Sequence, residues 1–257
     1  MGDGAMTDIT DTGTGATADT SIDVALLDRL TIQVGENLVR LRSRIDAVST
    51  GEREVQVIAV TKGFGPEAPL AALRNDLTLL GENYADELVR KARVVRANLA
   101  HAFDRTPEWH FQGRLQTNKI NRLVPVVGVW QSLDSSERVG ALAKRAPGAS
   151  VCIQVRLTGD PDRSGVAVDG VAELVAQARS SGLVVLGLMG VGPDPAVAGR
   201  EGSEAAFTAL DGLCREHGLD WRSMGMSSDL EAAVACGATH VRIGTALFGE
   251  RATGKGV

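Results

Sequence analysis

The chain has 257 residues, 44% hydrophobic and 23% charged, enough to bury a substantial core as one large barrel or two small domains. Its net charge of −5 is spread along the chain, so no basic block points to nucleic acid and no acidic tail to a charge-driven partner. There is no apolar run of membrane-spanning length, no secretory signal pattern, and no metal or disulfide spacing among Cys152, Cys214 and Cys236, which predicts a reduced, cytoplasmic setting.

Residues 1–20 are rich in Gly, Thr and Asp and are expected to form a disordered leader, in which Met6 is an alternative start. The folded domain is expected over 21–257. Val24, Leu27, Ile32, Leu38 and Leu41 recur at helical spacing, with Ser21 as the candidate cap. Short apolar runs then alternate with amphipathic helical segments. The runs are 55–61, 77–81, 109–113, 126–133, 150–157, 183–192, 221–227 and 239–245. Near-continuous apolar strands separated by helices mean parallel strands covered on both faces. Eight such units predict an α/β fold, a single (β/α)8 TIM barrel, with an open doubly wound sheet as the alternative. No Gly-x-Gly-x-x-Gly follows the first strand, which weakens the dinucleotide-binding form of that sheet.

The first run, "VQVIAVTKGF", ends on Lys62. A lysine at a strand end is ordinarily a solvated side chain. In a barrel, however, the carboxyl ends of the strands gather at one mouth, where a desolvated amine becomes a nucleophile toward a carbonyl. Asn83 and Tyr84 follow the second strand, and His110 to Arg114 surround the end of the third. In "GMSSDLE", Ser228 and Glu231 have capping-box spacing, which predicts a helix start there and leaves the Ser227 hydroxyl beside backbone N–H groups. Gly244 and Thr245 open a small-residue turn after the eighth strand. Two such turns after adjacent strands suit a phosphate, with two ordinary capped loops as the plainer reading. Arg242, inside the eighth strand, needs an acceptor: a core carboxylate or a ligand heteroatom. A nucleophilic lysine opposite a phosphate cradle suggests a phosphorylated aldehyde or ketone, held by a sugar-phosphate aldolase or by a protein of pyridoxal 5′-phosphate (PLP).

"VIAVTKGFGPE", "GENYADEL", "WHFQGRLQTNK", "DRSGV", "GLMGVG" and "SMGMSSDLEAAVACGATHVRIGTALFGER" together resemble the pyridoxal-phosphate-binding homeostasis proteins, the YggS/PROSC family. The resemblance covers nearly everything after the leader. It implies the alanine racemase N-terminal-domain barrel (fold-type III among PLP proteins) and PLP as cofactor. Carried over residue by residue, it makes Lys62 the Schiff-base lysine. It also places Ser227, Gly244 and Thr245 at the phosphate, with Ser228 as a helper, and counts Met226 among the cofactor-binding residues. It sets Arg242 against the pyridine nitrogen and Asn83 near the phenolic oxygen. An arginine there keeps the ring nitrogen unprotonated and the ring a poor electron sink. Two departures stand out: Gly63-Phe64-Gly65 occupies the place where many relatives carry a second lysine, and Arg163 stands where they often carry lysine.

An alanine-racemase-like activity needs a second base opposite the lysine. Alanine racemase, which shares the barrel, draws a tyrosine from another domain of a partner subunit, whereas the single tyrosine here, Tyr84, follows strand two. The expected function is therefore a PLP carrier, a monomer without turnover, with apo forms of PLP-dependent enzymes as recipients; a weak PLP-dependent racemase is the alternative. His110 is read as a core histidine or a ligand contact, His240 as structural, His101 and His217 as exposed. Arg114 and Lys119 are read as helix-surface residues with a ligand role as the alternative, and the cysteines as core packing.

Overall fold

The computed structural model describes residues 20–49, 54–103, 105–160 and 163–251. Eight strands pair in parallel and in chain order into a closed barrel: β1 Gln56–Val60, β2 Leu79–Glu82, β3 Glu108–Phe111, β4 Val127–Leu133, β5 Ser150–Arg156, β6 Val184–Val191, β7 Trp221–Ser223 and β8 His240–Ile243. Closure comes from β1 against β8, with Val57 opposite Val241 and Ile58 opposite Arg242. Each strand falls on one of the predicted runs, and the open sheet is set aside. The leader expected over 1–20 lies, apart from Thr20, outside the described residues.

The helices are α1 Val24–Asp46, α2 Glu67–Arg74, α3 Ala85–Ala97, α4 Ile120–Leu123, α5 Ser136–Arg145, α6 Val171–Ser180, α7 Pro195–Glu216, α8 Leu230–Ala235 and α9 Thr245–Phe248. Helices α2 to α8 link successive strands, and α1 packs on α2 on one side and on α8 and α9 on the other, closing the outer ring. Among the described residues, no helix is long and apolar enough to cross a membrane.

Side chains alternate along each strand between the helix layer and the barrel axis. The helix-facing set, including Val57, Ala59, Leu80, Trp130, Ile153, Leu188, Val241 and Ile243, joins one large apolar core. The axial set is partly polar. Val129, Cys152 and Met189 form a small apolar plug, and around it His110, Gln131, Ser223 and Arg242 are all buried. Their hydrogen bonds run one way: Arg242 Nη1 donates to Ser223 Oγ (3.1 Å), Ser223 Oγ to Gln131 Oε1 (2.7 Å), Gln131 Nε2 to His110 Nδ1 (2.7 Å), and His110 Nε2 to Glu108 (2.8 Å). A chain of aligned dipoles between a guanidinium and a carboxylate satisfies each buried group and polarises its neighbours. His110 is thus a satisfied core residue, each of its ring nitrogens having a partner.

Three local expectations are corrected. Asp23, not Ser21, caps α1, because its carboxylate accepts the Leu26 N–H at 2.9 Å. The Ser228–Glu231 capping box does not form. Asp229 is the residue preceding α8, and Glu231 turns outward to Arg44 of α1 at 2.6 Å, a charged partner that outbids a backbone N–H. Helix α7 begins at Pro195, nine residues before the amphipathic pattern that the sequence carries over 204–218, because Asp194 caps it by accepting the Ala196 N–H and Pro195 suits the first turn; its backbone breaks at Gly199.

Candidate binding site at the barrel mouth

Strand β1 delivers Thr61 and Lys62 to the carboxyl end of the barrel, and the chain then turns sharply. The turn is closed by Phe64 N–H to Thr61 C=O at 3.0 Å and requires φ of +77° at Gly63, a conformation that suits glycine. Phe64 packs on Phe248 of α9 with ring centroids 5.3 Å apart, so the lysine loop and the turn after β8 lean together. Between them opens a cavity of about 560 Å³. Lys62, Asn83, Met226, Ser227, Ser228, Arg242, Gly244 and Thr245 all line it, so the structure brings every predicted site residue to one place.

The electrostatics are one-sided. Burial pushes the Lys62 amine below the ordinary lysine value, Arg251 and then Arg242 push it further, and only Glu82 opposes them. Among the described residues no carboxylate pairs with Lys62, Arg114, Arg242 or Arg251, and no Asp, Glu, His, Cys or Tyr side chain lines the cavity. The cavity is a cationic pocket walled otherwise by neutral groups.

Arg242 takes neither a core carboxylate nor free space. Its Nη1 donates to the Ser223 carbonyl at 2.5 Å and Nη2 to the Gly190 carbonyl at 2.8 Å, which ties β8 to β7 and β6 and aims the guanidinium at the cavity. Burial lowers its pKa to about 10, so it remains a cation at neutral pH.

The two small-residue turns are joined to each other. The Ser227 hydroxyl accepts the Ala246 N–H at 3.3 Å, and Arg44 donates to the Ser227 carbonyl at 3.2 Å. The Ser227 hydroxyl therefore stitches the β7 turn to the start of α9. Asp229 accepts the Met226 N–H at 2.5 Å and fixes the preceding residue. On the opposite wall Gly113 abuts the Asn83 backbone so closely that a Cβ would sit 1.7 Å from its carbonyl oxygen, so only glycine lets the ends of β2 and β3 meet here.

Several other residues settle into structural places. Lys119 pairs with Asp86 at 2.9 Å outside the cavity, while Arg114 lines it and stays exposed. Tyr84, 62% exposed, lies in an adjoining hollow of about 270 Å³. His240 stacks on Trp221 at 3.9 Å, and burial lowers its pKa to about 4. His101 is exposed, and His217 is the half-buried C-cap of α7. Cys152 and Cys214 are buried, their thiols pushed up to about 12 and about 11, whereas Cys236 is only half-buried, because α8 ends there. Arg163 is exposed beside Asp160 and does not line the cavity. Sequence reasoning assigned no role to Arg251 or Gln154, which also line it, or to the buried Lys91 behind it. The clue for Lys91 was its i,i+4 spacing from Glu87 on a helix entering right after the second-strand motif.

A closed parallel barrel with a half-buried lysine after its first strand and an arginine in its last is a barrel of the alanine racemase type. The sequence profile of the alanine racemase N-terminal domain matches residues 36–252. The pyridoxal phosphate homeostasis protein of Pseudomonas aeruginosa is 37% identical over 231 residues, covering 85% of this chain and 96% of that one. PipY of Synechococcus elongatus, solved with PLP bound, superposes with a TM-score of 0.69 at 30% identity over 84% of this chain and 99% of its own. A protein of unknown role from Bifidobacterium adolescentis superposes with a TM-score of 0.79 at 26% identity over 90% of this chain and 99% of its own. The chain belongs to the pyridoxal phosphate homeostasis protein family.

Proposed function

We propose that the protein binds PLP in the Lys62 cavity and serves intracellular PLP homeostasis as a monomeric, cytoplasmic carrier that does not turn substrates over. The observation that carries this reading is a cavity with a desolvated lysine and three further cations, Arg114, Arg242 and Arg251, but among the described residues no acid or base other than that lysine. PLP fits what is present. Its aldehyde needs an amine that is neutral part of the time, which the lowered pKa of Lys62 supplies. Its phosphate carries a charge suited to the electropositive wall, where Ser227, Ser228, Gly244 and Thr245 offer hydroxyls and small-residue backbone. When bound, PLP supplies a carbonyl for reversible capture of amines and a ring that can draw electrons from them.

The protein's own residues favour holding over turnover. Lys62 anchors. Arg242, fixed by two carbonyls and charged at neutral pH, meets the ring nitrogen with a cation that gives up no proton there. Asn83, held by the Gly113 contact, orients the ring edge beside Lys62. A racemase would need a second proton carrier across the ring from Lys62. Tyr84 lies in the adjoining hollow, and His110 and His240 are engaged in the barrel core. Because the site needs no residue from a second subunit, a monomer suffices, and an open mouth allows transfer to apo-enzymes.

The test is to load the protein with PLP and incubate it with amino acids in D2O, following α-proton exchange by NMR. The reading predicts a visible cofactor band and no exchange above free PLP. Exchange well above that background, lost on removal of Lys62, would establish a racemase-like enzyme instead.

A further inference from the structure

Directly behind the cavity lies an ion cluster that the proposed function does not use. Lys91, on α3, is fully buried. Its amine donates to Glu82 at 2.5 Å and to the Thr61 carbonyl at 2.5 Å, and lies 2.7 Å from Glu87. The Thr61 hydroxyl donates to Glu82 as well, at 2.9 Å. The same Glu87 oxygen accepts the Gly63 N–H at 2.8 Å. The residues on both sides of Lys62 are thus gripped by one lysine–glutamate pair, Thr61 through its carbonyl and Gly63 through its N–H. Burying a lysine with two carboxylates is a costly way to dock a helix, and an apolar side chain of similar volume would pack α3 as well or better. What the cluster adds is a fixed polypeptide on either side of one side chain.

We propose that Lys91, with Glu87 and Glu82, is a positioning residue for Lys62, holding its backbone and setting the charge behind its amine. This rests on the reading of Lys62 as the lysine that takes PLP. The groups facing the Lys62 amine are Glu82 at the end of β2, Arg242 on β8 and Arg251 after α9, with Lys91 and Glu87 of α3 in contact with Glu82 and with the Lys62 loop. Removing Lys91 leaves Glu82 and Glu87 without their cation, which favours the Lys62 ammonium. Removing Glu87 takes away negative charge and the Gly63 anchor, and favours the neutral amine.

The experiment uses apoprotein: wild type, Lys91→Met and Glu87→Ala, each checked for fold by circular dichroism. Reactivity of Lys62 toward acetic anhydride is followed across pH by peptide mapping, and PLP labelling of Lys62 is then trapped with borohydride. Lys91→Met should move the pH midpoint of Lys62 acetylation upward and Glu87→Ala should move it downward. PLP labelling at neutral pH should slow about tenfold in Lys91→Met, as expected when a reacting group loses its alignment. A purely structural cluster would not give opposite shifts. Unchanged midpoints and labelling rates in both variants overturn the proposal. If Lys91→Met does not fold, Glu87→Ala, whose Glu87 side chain is 18% exposed, decides alone: a downward shift supports the proposal and an unchanged midpoint overturns it. Wild type that acetylates normally but takes no PLP at Lys62 overturns the functional reading and leaves the acetylation shifts to judge Lys91.

Discussion

The two ends of the barrel carry cavities that differ in what their charges do. At the amino end, a hollow of about 780 Å³ is larger than the one holding Lys62 and contains Asp211, Arg215 and Arg222. There two cations face two acids: Arg222 meets Asp211 at 2.5 Å, Arg215 meets it at 2.8 Å, and Asp220 is the second acid on the wall. At the carboxyl end Lys62, Arg242, Arg114 and Arg251 surround a smaller space with no carboxylate on its wall. Size therefore does not identify the site. Cations on a concave wall that carries no carboxylate attract an anion, whereas a matched salt-bridge network is complete without one.

Substitutions can break or sharpen that contrast. The largest effect is expected from Lys62→Ala, which removes the lysine amine of the cavity and should abolish the visible band formed with PLP, read by absorbance titration. Next is Arg242→Met, which leaves the Ser223 and Gly190 carbonyls unsatisfied in the barrel axis. It should cost about 3 kcal/mol of stability in urea denaturation and weaken PLP binding measured by fluorescence. Gly113→Ala forces a methyl into the Asn83 carbonyl and should cost about 2 kcal/mol, with loss of PLP affinity as β2 and β3 part. The pH dependence comes next. Attack on a carbonyl requires the neutral amine, so the rate of PLP attachment should rise with pH and level off at a midpoint below the ordinary lysine value of 10.5, since burial, Arg251 and Arg242 all lower it; stopped-flow absorbance would show this. The smallest effect belongs to the other end. Arg215→Ala touches an exposed guanidinium and should change stability by roughly 0.5 kcal/mol or less and leave PLP affinity unaltered.

The same contrast explains what the sequence disclosed. The strands were readable because a barrel strand is covered by helices outside and by its neighbours' side chains inside, so its sequence stays largely apolar, with His110, Gln131, Ser223 and Arg242 as the axial exceptions. Their order followed from the alternation with helices. The mouth residues were readable because strand ends in this architecture share one side, which brought Lys62, Asn83, Ser227, Arg242 and Gly244 together from runs far apart in the chain. Side-chain partnerships between distant elements were not readable. Glu231 looked like half of a local capping box, and only the fold places Arg44, 187 residues away, beside it. Lys91 sits in a helix that reads as amphipathic, and its burial depends on Glu82 and the Thr61 carbonyl arriving from β2 and β1. Arg251 follows the last helix in a segment without periodicity, and its place near Lys62 comes from the Gly249 turn and the packing of α9. In each case the local pattern was correct chemistry for an isolated segment, and a tertiary partner outcompeted it.

The account's central claim is that Lys62 alone among the lysines is poised to capture PLP. It is tested most directly by mixing the wild-type protein with one equivalent of PLP, reducing with borohydride and mapping the modified peptide by mass spectrometry. The account predicts a single phosphopyridoxyl group on Lys62. No modification, or modification spread over surface lysines such as Lys119 and Lys144 with Lys62 untouched, would contradict it.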